Sequence, residues 1–186
     1  MKRRHFLQNS LLAPSTLTFS SEASSERPTK GIIIKDGESR NNEKIICAVT
    51  PVDFKLLSTD TNGDLSVFIS SNNRKGDGPP LHVHHKFDEF FCVLEGEFLF
   101  QVGDEQTRLK PGDTLFVPRT AKHAFNCVSS QPGKLLVTVQ PASNMEEFFR
   151  GVAKLLPVEG TPDMAAMQKL YAAHDSVIVG PPLHVK

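Results

Sequence analysis

From residue 32 onward the chain is a series of short apolar runs, each interrupted after a few residues by Gly, Pro, Asn or Asp. Runs of this length, ended by turn formers, read as strands rather than helices. The stretches are 32–34, 45–50, 54–58, 65–70, 81–85, 89–94, 97–102, 106–109, 114–118, 121–128 and 135–140. Thr61-Asn62-Gly63-Asp64, Glu95-Gly96, Pro111-Gly112-Asp113 and Gln131-Pro132-Gly133 supply turns between them. Many short strands at even spacing predict an all-β sandwich, jelly roll or small barrel.

The texture changes at Ser143. Met145, Phe148, Phe149, Val152 and Leu156 recur at helical spacing, and Ser143 with Glu146 has the form of a capping box, with Pro157 as the stop. A second helix is expected from Thr161, as cap, and Pro162, at the first helical position, to about His174. The apolar stretch Val177–Val179 ends at Gly180-Pro181-Pro182. Two short C-terminal helices (within 143–174) should therefore pack outside the barrel or close one of its ends.

The 186 residues suit one domain with a sizeable core. Lys+Arg and Asp+Glu both number 21, which gives no electrostatic reason to expect nucleic acid or an acidic membrane as partner. Aromatic usage is lopsided, with 13 Phe, one Tyr and no Trp. Phe91, Phe100, Phe116 and Phe125 are candidates for an apolar substrate pocket, and each could equally be core. Cys47, Cys92 and Cys127 match no zinc or haem spacing; they read as small buried hydrophobes, with one bridge in an oxidising compartment as the alternative.

Residues 1–23 read as an address. Lys2-Arg3-Arg4-His5-Phe6-Leu7 resembles the twin-arginine export signal, the following apolar run is too short and polar for stable membrane insertion, and Ala23 is a suitable cleavage point. The alternative is a basic tail with a chance arginine pair. Residues 24–30 form a polar linker and 31–186 the domain. The expected location is periplasmic or extracellular.

His82 and His84 stand at i and i+2 on a predicted strand and share a face. Glu89 has the wrong parity for the same strand, so a turn or bulge across 86–88 is expected to reset the register. His123 arrives from a later strand. Three imidazoles and a carboxylate suit Fe, Mn, Ni, Cu or Zn rather than calcium. His85 has the wrong parity for a ligand, and Asp88 is a shorter competitor of Glu89.

The spacing Gly76-x5-His82-x-His84-x4-Glu89-x6-Gly96, then Gly112-x5-Pro118-x-Thr120-x2-His123 after 15 residues, resembles the two cupin motifs. Thr120 replaces a usual glycine, and Asn126 comes one residue earlier than the usual asparagine. Residues 59–63, 78–85, 88–91 and 179–182 are also similar to single-barrel bacterial cupins related to quercetin 2,3-dioxygenase. The resemblance implies a double-stranded β-helix (jelly-roll barrel) holding one divalent transition-metal ion on His82, His84, Glu89 and His123. It further implies an oxygenase for a small phenolic compound and O2, with Glu89 as general base, and a homodimer. A non-catalytic binding protein for a small molecule or metal, and a metal-assisted isomerase or lyase, are the alternatives.

Overall fold

A computed structural model describes residues 27–156, 158 and 161–184. The export signal expected over 1–23 lies outside the described residues. The elements are β1 (Ile45–Cys47), β2 (Thr50–Leu56), β3 (Ser66–Asn73), β4 (Pro80–His84), β5 (Asp88–Glu95), β6 (Phe98–Val102), β7 (Glu105–Leu109), β8 (Thr114–Val117), β9 (His123–Cys127), β10 (Gly133–Gln140), α1 (Met145–Leu155), α2 (Met164–Ala173) and β11 (Ser176–Pro182). Strands form two antiparallel sheets, ordered β1-β2-β3-β10-β5-β8 and β11-β4-β9-β6-β7. This is the all-β double-stranded β-helix with two short helices. Among the described residues no helix is long and apolar enough to cross a membrane.

Alternation along the strands places the core between the sheets. In β10, Leu135, Val137 and Val139 are buried while the residues between them are half-buried, as period-2 geometry dictates. Phe54, Phe68 and Phe91 from the same sheet, and Phe98 and Phe100 from the opposite one, share this core. Burying each such ring contributes roughly 1.5–3 kcal/mol, so the Phe bias of the sequence is largely core.

Both helices depart from the expected caps. Glu146 does not close a box with Ser143; its carboxylate turns inward and accepts from the Ser58 amide (2.5 Å) and hydroxyl (3.0 Å). Asn144 is the cap residue and makes no side-chain capping bond. The α2 cap is Asp163, whose Oδ1 accepts from the amides of Ala165 and Ala166, so Thr161 and Pro162 precede the helix. Residues 32–34 form no strand. All three thiols are free.

The apolar stripe of α1 closes on the barrel: the Phe149 ring lies 4.8 Å from that of Phe68 and 6.0 Å from that of Phe54. Tyr171 of α2 meets Phe148 edge-on at 5.0 Å. The helices thereby wall one side of the barrel interior.

Candidate metal centre

Two sheets contribute to the site. His82 on β4 is the register partner of His123 on β9, so both imidazoles leave the same sheet side by side. Glu89 comes from β5 in the opposite sheet. The parity problem is thus solved without a bulge: residues 85–87 carry the chain from one sheet to the other, and His84 and Glu89 face each other across the barrel. All four side chains are buried, and their ligand atoms lie within 4.8 Å of one another.

The hydrogen bonds around the ring define which nitrogen points inward. His82 Nδ1 donates to the Pro80 carbonyl (2.8 Å) and His123 Nδ1 to that of Ala121 (3.1 Å). Ser176 donates its hydroxyl to the His174 carbonyl (2.9 Å), which leaves its oxygen to accept from His84 Nδ1 (2.8 Å). With Nδ1 protonated in all three rings, three Nε2 lone pairs converge. Nε2 of His82 and His84 stand 3.1 Å apart, and Glu89 Oε2 lies 2.8 Å from His123 Nε2 and 3.2 Å from His84 Nε2. Lone pairs and a carboxylate oxygen packed this closely are satisfied by shared protons or by a cation between them. A mixed N/O donor set of this kind fits one transition-metal ion.

Charge states follow the same logic. Burial holds His82 well below its ordinary pKa, with His123 and His84 adding to the effect. Burial pushes the Glu89 carboxyl upward, but His84 and His123 beside it outweigh that and hold it well below the ordinary carboxylate range. Burial likewise opposes the charged form of His123, and Glu89 reverses the direction. Glu89 is accordingly the anionic member of the cluster.

Local structure supports the ring. Phe87, 1% exposed, lies over His84 with centroids 4.0 Å apart. Thr120, at the position usually glycine, holds φ 72°, which a β-branched residue adopts only under restraint; its amide is tied to the His84 carbonyl at 2.7 Å. Asn126 Nδ2 donates to the carbonyls of Gly76 (3.1 Å) and Leu183 (2.9 Å), stapling both segments to β9. Asp88 is not at the centre: it takes the Arg119 amide and guanidinium at 2.7–3.0 Å. His85 is exposed.

A cavity of about 390 Å³ opens onto the cluster, at the small end of the usual range for ligand sites. Phe91 and Phe125 line it as expected, and Phe91 lies 6.4 Å from the His123 ring. Phe100 does not: it is buried behind them, 5.2 and 5.5 Å from their rings. Phe116 is a plain correction. At 58% exposure it faces outward opposite Phe90, because Leu115 and Val117 take the inward phase of β8. The sequence reading missed Met145, Phe148, Phe149, Met167, Tyr171 and Cys47 as wall residues. The helical stripe signalled that α1 packs somewhere, but not that it borders a cavity. The described lining contains no Lys or Arg.

Comparison with known proteins agrees with this geometry. Residues 73–139 match the Cupin_2 family, described as "Cupin domain". The chain is 33% identical over 101 residues to quercetin 2,3-dioxygenase of Bacillus subtilis (strain 168), covering 54% of this chain and 28% of that protein. It is 30% identical over 67 residues to an uncharacterized protein of Methanocaldococcus jannaschii, covering 36% of this chain and 54% of that protein. The chain thus spans less than two thirds of either curated relative. Among solved structures, KdgF from Halomonas sp. superposes with a TM-score of 0.50 at 18% identity, over 60% of this chain and 94% of that one, a likeness of fold. Residues 73–139 thus resemble the cupin domain, and the double-stranded β-helix around them is the cupin fold.

Proposed function

We propose that this chain is a metal-dependent dioxygenase acting on a small phenolic compound, exported from the cytoplasm. The observation that carries the reading is the cavity: a four-donor centre lies in a pocket walled by Phe, Met and Val. An anionic sugar or acid would find no Lys or Arg among the described lining residues, which disfavours an isomerase or lyase for such substrates. A planar aromatic molecule finds the faces of Phe91, Phe125, Phe148 and Phe149, which also exclude water. Similarity to a quercetin 2,3-dioxygenase supports the phenolic class.

The ion held by His82, His84, Glu89 and His123 would supply Lewis acidity toward a phenolic oxygen and redox chemistry with O2. The protein supplies the rest. Glu89, anionic and buried, is the base positioned to take the phenol's proton. The aromatic walls hold the ring so that its oxygen meets the centre. Export is supported by the arginine pair of Lys2-Arg3-Arg4-His5-Phe6-Leu7. The test is O2 uptake by protein loaded in turn with Fe, Mn, Ni or Cu, against a panel of flavonols and catechols. Consumption with at least one pair is expected. Binding of phenols with no uptake under any metal would replace the enzyme by a non-catalytic binding protein.

A further inference from the structure

Tyr171, the single tyrosine of the chain, stands on α2 with only 5% of its surface exposed. Its ring is fixed on two sides, edge-on to His82 at 5.6 Å and to Phe148 at 5.0 Å. The same residue lines the cavity beside the metal centre. Its hydroxyl has no hydrogen-bond partner among the described residues. The described polar atoms that are both sealed and unpartnered belong to Arg40, Ser66 and Asn126, so the Tyr171 oxygen adjoins open space. Among the other polar groups of the wall, Ser70 and Asn73 bond each other, and Asp77 accepts from the Arg74 amide.

A rigid donor without a protein partner, held beside the centre, offers its hydrogen bond to whatever enters. We propose that the Tyr171 hydroxyl donates a hydrogen bond to a second oxygen of the bound molecule while its first oxygen meets the centre. The inference rests on the phenolic reading above and narrows it to compounds bearing two neighbouring oxygens, such as catechols and α-hydroxyketones. Tyr171 then determines specificity: a phenol with one oxygen leaves the hydroxyl unanswered.

The experiment uses zinc-loaded protein, which binds without turnover, titrated with 4-nitrocatechol and with 4-nitrophenol by visible absorbance. Tyr171→Phe keeps the ring packing on His82 and Phe148 and removes only the donor. The expected result is a Kd for 4-nitrocatechol raised about tenfold in the variant, with the Kd for 4-nitrophenol and the zinc content unchanged. Equal effects on both probes, or none, with tight binding to the parent protein, would overturn the role of Tyr171 and leave the phenolic reading standing. Loss of zinc from the variant would make Tyr171 a support of the centre and overturn the proposal. Failure of the parent protein to bind either probe would overturn both readings.

Discussion

Gly78 has no side chain because the backbone of β9 occupies the space one would fill. A Cβ built there lies 1.9 Å from the Phe125 carbonyl oxygen, 2.9 Å from its carbon and 3.2 Å from Asn126 Cα. All three are backbone atoms, so no rotamer change relieves the clash. Ordinary contact begins at 3.4 Å, which means the 76–78 segment must retreat from β9 by about 1.5 Å. Besides the Asn126 side chain, two backbone bonds fasten that segment, Gly76 amide to Cys127 carbonyl and Cys127 amide to Asp77 carbonyl, both at 3.0 Å. A retreat of this size stretches both beyond hydrogen-bond range. Two lost bonds at about 1 kcal/mol each, with residual overpacking, give a destabilisation of about 2–4 kcal/mol for Gly78→Ala. For a domain of this size that is a fall in Tm of about 5–15 °C. Scanning calorimetry measures it, with Gly31→Ala as control, since nothing lies within 4 Å of a Cβ at Gly31. A Gly78→Ala protein melting within about 1 °C of the parent would refute the reasoning.

Phe100 and Phe116 give a matched pair. Phe100→Ala, in the packed interior, should cost about 3–5 kcal/mol, whereas Phe116→Ala on the outer face should cost within about 0.5 kcal/mol, both read by urea denaturation. Comparable losses would place Phe116 inside after all. Arg119 holds the Asp88 carboxyl at about 2, against an ordinary value near 3.8. Because the folded-state value is depressed, the pair's contribution is full above about pH 4 and disappears as pH falls through about 2. Arg119→Ala should therefore narrow the stability gap to the parent as pH is lowered from 5 to 2, measured as Tm across that range; a constant gap would contradict it.

The four-residue cluster was legible because its constraint is local and its spacing long: His82, His84, Glu89 and His123 stand at defined offsets from glycines that turn the chain. What failed depended on partners distant in sequence. Ser143 and Glu146 have the form of a capping box, but Ser58, 88 residues earlier, claims the Glu146 carboxylate. Parity asked for a turn or bulge before Glu89, and residues 85–87 supply the turn, but nothing local shows that it carries the chain from one sheet to the other. Phe116 could be given either phase, since a four-residue strand flanked by turns fixes no direction until it pairs with β5. Tyr171 reaches the cavity only through the packing of α2 against β11 and α1, which no periodicity reports.

The central claim is that four buried side chains hold one transition-metal ion. Elemental analysis of the purified protein, beside His84→Ala, tests it most directly. Near one Fe, Mn, Ni, Cu or Zn per chain in the parent, lost from the variant, is the predicted result. No metal in either protein, or equal metal in both, would contradict it.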